Sequence, residues 1–279
     1  MNIKAPGFDL ALTMTCGQHF CYEQLAPSEF IVIDGPRTFW VRQSGDTLSF
    51  EGITGRGLRR YFDLNHDWSG LGFGKRPFAG ALKEFSGVRL VRQDARQAIF
   101  SFILSSNNNT VRIKRMLDSL RERHGKEIVV KGRTVKAFPD RIGDLVGLKY
   151  GYRESFVKKT HDVLDDRFLE RLKKQEYVTA RELLQTLPGV GPKVADCILC
   201  YSELARTEAF PADVWVKRAL KEHFPYFRRR PLTDKHVRAF STRFKHPAYA
   251  QQLLFLGARA DLSKEKKKKE KSTSGRSRT

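Results

Sequence analysis

Lys193 is the residue whose type and position in this sequence least suit a purely structural role. It stands in "LPGVGPKVADC", Leu187 to Cys197, where two glycines and two prolines interrupt helical runs. Pro188 stops one helix, Gly189, Val190 and Gly191 turn the chain, and Pro192 falls where the next helix starts. A lysine in that first turn opposes the positive end of the helix macrodipole. Its amine is therefore expected to spend time neutral, and a neutral amine is a nucleophile. The glycines let the backbone approach another molecule closely, and N–H groups at a helix start favour an anion such as a phosphate. Taken alone, the same residues also suit a plain helix-helix connection with a lysine that contacts a phosphate. Asp213, in "AFPADVWVKRAL", comes twenty residues later. Just before a helical run it is an ordinary N-cap, and its carboxylate is also of the kind that stabilises developing positive charge.

Two kinds of element would have to hold these residues. Residues 8 to 60 carry short β-rich runs such as "EFIVIDG" and "TFWVRQSGDTLSFEG" between Gly, Pro and Asp turn signals, which predicts an antiparallel sheet. From about Asp94 the period becomes helical. In "DARQAIFSFILSSNNN", Ala95, Ala98, Ile99, Phe102 and Ile103 form the apolar face of an amphipathic helix. "TVRIKRMLDSLRERHG" predicts a helix ended by Gly125, "FLERLKKQ" another, and "TARELLQTL" a helix with Thr179 as N-cap and Glu182 completing a capping box. "VADCILCYSELAR", "DVWVKRALKEHF" and "AYAQQLLFLGARADL" complete the helical set. The expected fold class is α+β. An antiparallel sheet domain spans residues 1–90, a helical helix-hairpin-helix domain 91–262 and a disordered basic tail 263–279.

Composition narrows the partner. The 279 residues carry a formal charge of +21. The segment from Lys264 to Thr279 accounts for +6 and lacks any large apolar residue, as expected of a disordered tail. The remaining +15 lies on the body, which favours nucleic acid over a merely solvated tail. Cys16, Cys21, Cys197 and Cys200 form two close pairs without a secretory signal, consistent with buried free thiols in an intracellular setting; a tetrathiolate zinc site is the alternative. No apolar run approaches the roughly 20 residues needed to span a bilayer.

"CGQHF", "SFILSSNNNTVRIKRM", "LPGVGPKVADCI", "FPADVW" and "YAQQLLF" occur in an order that resembles the 8-oxoguanine DNA glycosylase/AP lyase family, over roughly residues 10 to 260. This family lies within the helix-hairpin-helix glycosylase superfamily, which pairs the hairpin with a Gly/Pro-rich loop carrying an aspartate. The resemblance implies a monomeric enzyme that flips 8-oxoguanine out of double-stranded DNA, excises it opposite cytosine and cleaves the abasic site by β-elimination. Lys193 would be the nucleophile and Asp213 the electrostatic partner. The Gly17 carbonyl would accept the N7 hydrogen that 8-oxoguanine has and guanine lacks. Phe255 and Cys197 would sandwich the base, and Gln251 would read its Watson–Crick edge. Asn107 would occupy the vacated space, Arg112 and Arg153 would contact the orphaned cytosine, and Tyr152 would wedge beside the opened pair. Gly189, Val190 and Gly191 would hold a phosphate.

By the same resemblance no cofactor and no metal is needed for the chemistry, although carbonyls of residues 188 to 191 could hold a structural cation. The sequence departs from the family at Trp215, where histidine is usual, and at His19 and Cys21–Tyr22, which replace a small residue and an Arg–Trp pair. No four-cysteine iron–sulfur loop follows the helices, unlike the endonuclease III branch. Two other readings stay open: a glycosylase for another lesion, and a non-catalytic DNA-binding module built on hairpin and tail.

Overall fold

The structure, a computed structural model, describes residues 1–68 and 78–274, without the side chains of residues 79 and 262–274. The chain forms two compact units. The first comprises Met1–Asp67 with Gly87–Ala209, the second Trp68–Ser86 with Phe210–Thr279. Residues on both sides of position 90 therefore share the first unit.

In the first unit, strands β1 (Asn2–Lys4), β2 (Tyr22–Ala26), β3 (Glu29–Asp34), β4 (Arg37–Ser44) and β5 (Thr47–Glu51) make an antiparallel sheet in the order β1-β5-β4-β3-β2. The expected sheet is thus present, with α1 (Leu10–Thr15) between β1 and β2 and α2 (Gly55–Tyr61) after β5. Strand β3, between β4 and β2, buries Phe30, Ile31, Val32 and Ile33 on both faces, as a continuous β-branched and aromatic run should.

The helices of this unit are α4 (Ala95–Ser105), α5 (Thr110–His124), α6 (Arg153–Val163), α7 (Asp166–Lys173), α8 (Tyr177–Gln185) and α9 (Pro192–Tyr201); α3 (Ala79–Phe85) belongs to the second unit. Gly125 ends α5, as the sequence predicts, and Asn109 caps its start, which the sequence reading did not foresee. Two expectations are corrected. First, α4 is buried all round, Gln97, Ser101 and Phe100 included, because α5, α6 and α9 all pack on it. Gln97 survives there by donating to Ile33 O at 3.0 Å and accepting from Gly35 N at 2.9 Å, which bolts the helix to the β3–β4 turn. Second, α8 begins at Tyr177 with Glu176 as N-cap, so Thr179 lies inside the helix and forms no capping box. A hairpin that the sequence reading omits, β6 (Glu127–Val130) with β7 (Arg133–Lys136), turns at Lys131 and Gly132, both with positive φ.

The second unit holds α3, α10 (Val214–His223), a 3-10 turn at Pro225–Phe227, α11 (Asp234–Ser241) and α12 (Pro247–Ser274). Phe78, Phe210, Phe224, Phe240 and Phe244 pack mostly edge to face in its core, with Phe210 and Phe244 stacked. α12 runs through most of the segment expected to be disordered; its Lys and Glu residues are good helix formers, so the backbone continues helically as far as Ser274. Among the described residues no helix is long and apolar enough to cross a membrane.

Candidate functional site

The hairpin forms as the sequence predicts. α8 gives way at Thr186, Val190 N donates to Leu187 O at 3.1 Å, Gly191 is the N-cap of α9 and Pro192 is its first residue. No side chain caps α9, an arrangement that suits an incoming anion. Gly189 has φ +82°, and a Cβ there would lie 2.8 Å from the Phe156 ring, so only glycine fits against α6. Thr160, also on α6, donates its hydroxyl to Pro188 O at 3.1 Å. Gly191 O accepts from Ala195 N at 2.9 Å and is thereby spent on the first turn of α9.

Beneath the hairpin, the two helices are joined by a buried ion pair. Arg181 Nε and Nη2 reach Asp196 Oδ1 and Oδ2 at 2.8 and 3.2 Å, and the Tyr177 hydroxyl donates to Oδ1 at 2.8 Å. This fork fixes α9, on which Lys193 is half-buried in the first turn and Cys197 lies buried one turn further on. All four cysteines are free and buried, as expected. Burial pushes the Cys21 thiol up to about 12 and Cys200 well above the usual thiol range.

A second group converges on the turn between α4 and α5. The three asparagines there do three different things. Asn107 is exposed with φ +48°, Asn108 Nδ2 donates to Leu104 O at 3.1 Å, and Asn109 Oδ1 caps α5 by accepting from Arg112 N at 2.9 Å. Tyr152 is 55% exposed and its hydroxyl donates to Ser106 O at 3.3 Å. Arg112 is exposed on the first turn of α5. Arg153 departs from its expected place. It is buried, its Nε and Nη2 donate to Ser106 O, Nη2 also reaches Asn107 O at 3.0 Å, and the guanidinium stacks on the Tyr152 ring at 4.4 Å. The orphan carbonyls at the end of α4 take this cation, so it braces the asparagine turn. Phe156 is the positioning residue that the sequence reading omits. Its ring meets Gly189 on one side and packs edge-on against Tyr152 at 6.0 Å, so it links the hairpin to the asparagine turn.

Gly17 sits half-buried with φ +94° in a loop that buried amides fasten down. Gln18 Nε2 donates to Arg89 O at 2.7 Å, Gln18 Oε1 accepts from Val91 N at 3.0 Å, and Gln93 Nε2 donates to Gln18 O at 2.9 Å. His19 is fully enclosed, with Nδ1 3.1 Å from Gln93 Oε1 and Nε2 2.8 Å from Cys21 O. Burial lowers its pKa from 6.5 to about 4. Between those values the unfolded chain binds a proton that the folded chain refuses. His19 therefore withdraws stability as pH falls below 6.5, by about 3 kcal/mol once pH reaches its folded value. Asp34, pushed up to about 7 by burial, acts in the opposite sense, since the folded chain holds its proton more tightly. Urea unfolding across this range should show a steeper acid loss for wild type than for His19→Asn; parallel profiles would contradict it.

In the second unit, Asp213 is the N-cap of α10. Its Oδ1 accepts from Trp215 N at 3.0 Å and Val216 N at 2.9 Å, which fixes the carboxylate by backbone. On α12, Gln251 is buried and Phe255 half-buried, with the Arg259 guanidinium 5.3 Å from the Phe255 ring.

Residues 1–99 match the family of the 8-oxoguanine DNA glycosylase N-terminal domain, and residues 176–201 match the helix-hairpin-helix motif. A probable N-glycosylase/DNA lyase of Methanothermobacter thermautotrophicus is 29% identical over 93% of this chain and 96% of its own length. The Clostridium acetobutylicum 8-oxoguanine glycosylase/lyase, solved with duplex DNA containing cytosine opposite 8-oxoguanine, is 28% identical with a TM-score of 0.80, covering 92% of this chain and 93% of that one. Over most of its length the chain is thus similar to 8-oxoguanine glycosylase/lyases, and its first 99 residues match that family's N-terminal domain. The N-glycosylase/DNA lyase of Arabidopsis thaliana is 29% identical over 88% of this chain and 76% of its own length. At the two positions where the sequence departs from the usual pattern, Trp215 gives its backbone N–H to Asp213, and the His19 ring lies against Gln93 Oε1 and Cys21 O.

Proposed function

We propose that this protein is a bifunctional enzyme of base-excision repair. It removes 8-oxoguanine from double-stranded DNA, preferentially opposite cytosine, and cleaves the abasic strand through a Schiff base on Lys193. The observation that carries this reading is a half-buried lysine in the uncapped first turn of α9, behind a glycine hairpin anchored on α6. The Nζ lone pair attacks C1′, the glycosidic bond breaks, and the base leaves with the electron pair and gains a proton. The aminal then opens, O4′ taking a pair and a proton, to give the Schiff base. Loss of a C2′ proton expels the 3′ phosphate, and water releases the lysine. Asp213 stabilises the positive charge that builds on the sugar and assists proton transfer.

Gly17 accepts the N7 hydrogen of the flipped base, Cys197 and Phe255 flank it, and Gln251 pairs with its edge. Asn107, Tyr152 and Arg112 serve the opened pair. Arg153, by its contacts, first holds the turn that presents Asn107. Gly189, Val190 and Gly191 take a phosphate, and a cation on the hairpin carbonyls enters no step. Single-turnover excision of 8-oxoguanine placed opposite each of the four bases tests the proposal, with the fastest release expected opposite cytosine. Equal rates would remove the reading of the opposite base, and release of another modified base in place of 8-oxoguanine would favour the second lesion.

A further inference from the structure

The second unit carries a strongly basic groove that the proposed chemistry does not use. It holds about 610 Å³ and is lined along α10 by Val214, Lys217, Arg218, Lys221 and Glu222, closed by Leu232. From Val214 to Leu232 six Lys and Arg stand against one Glu, because Arg228, Arg229 and Arg230 follow the helix. Those three arginines and both lysines are exposed. The dipole at the C-terminal end of α10 accounts for Lys221, but not for Lys217 and Arg218 in the middle of the helix. Lys217 and Lys221 are four apart on one face, a spacing at which like charges weaken a helix. The arginine segment is also partly preorganised. Arg230 stacks on the Tyr226 ring at 4.2 Å, and Arg243 lies over the same ring at 5.0 Å. At its mouth the groove presents Val214, 73% exposed and next in sequence to Asp213.

We infer that this groove is a second, sequence-independent contact for the phosphate backbone of double-stranded DNA. A track of exposed cations, with one guanidinium preorganised by stacking, suits phosphates, which are read by charge and not by sequence. It adds non-specific affinity and salt dependence without touching the lesion. The inference extends the proposed function, resting on DNA as the partner.

Binding of undamaged duplex over a salt series tests it, using the full chain with Lys217→Ala and Lys221→Ala combined. Each lost phosphate contact should lower the log–log salt slope by about 0.9, so the double variant should lose roughly 2 and bind about tenfold more weakly at moderate salt. Lys217→Arg with Lys221→Arg should keep the slope. Wild-type Tm and unchanged adduct yield at saturating lesion duplex would show that the fold and the α9 chemistry are intact. An unchanged slope on duplex overturns the inference, whatever the variant does on single strands. Failure of wild type to excise 8-oxoguanine would overturn the proposed function and leave the slope measurement standing.

Discussion

Replacing Lys193 by Gln should abolish the borohydride-stable adduct on a duplex carrying 8-oxoguanine and lower strand cleavage by at least about 10³-fold, because in the proposed mechanism its amine becomes the imine. Gln keeps most of the side chain's length and its capacity for hydrogen bonding, and position 193 is only half-buried, so the fold should survive. Duplex binding should change little, since one charge among the many cations of the body contributes about one unit of salt slope at most. The chemical loss and the binding result together separate a nucleophile from a phosphate contact. A phosphate-contacting lysine would cost affinity and spare the adduct. An adduct that persists at full yield in Lys193→Gln would place the nucleophile elsewhere and remove the central residue of the mechanism.

The largest stability effect is expected at the ion pair below the hairpin. Arg181→Ala should cost about 3–5 kcal/mol, because it leaves the Asp196 carboxylate buried with its bidentate partner gone. The side chains of Arg181 and Asp196 are 4% and 3% exposed, so water cannot step in without opening α8 from α9. The corresponding fall in Tm is of the order of 10 °C for a chain of this size. A double replacement, Arg181→Met with Asp196→Leu, should recover most of the loss, since it removes both desolvated charges together. Thermal and urea unfolding check both variants. A loss below about 1 kcal/mol in Arg181→Ala would mean that the pair is hydrated and does not clamp the two helices.

Much of the site was legible because it depends on local rules. Pro192 at a helix start, Asp213 before a helical run and Gly125 behind His124 are each decided by backbone groups within four residues. Local rules failed where packing across the chain took over. α4 looks amphipathic by period, yet helices on several sides bury its polar positions, and Gln97 is tolerated only because the distant β3–β4 turn meets its amide. Arg153 read as a base-contacting cation, but its partners are carbonyls 46 and 47 residues away, which no spacing reveals. The β6–β7 hairpin did carry a usable signal, a two-residue Lys131–Gly132 turn between β-branched pairs. Phe156 carried none, as an aromatic on a helix is by default core.

Phe156 also acts as a gauge. Its side chain meets the glycine that opens the hairpin and its ring packs at right angles to that of the exposed Tyr152, so the start of α9 and the asparagine turn are spaced through one benzene ring. A ring cannot be compressed, and from the same helix the Thr160 hydroxyl holds the hairpin by its Pro188 carbonyl. In the proposed mechanism, the place where a base leaves the helix and the place where its bond is cut are thus held to a common measure by one residue that reacts with neither.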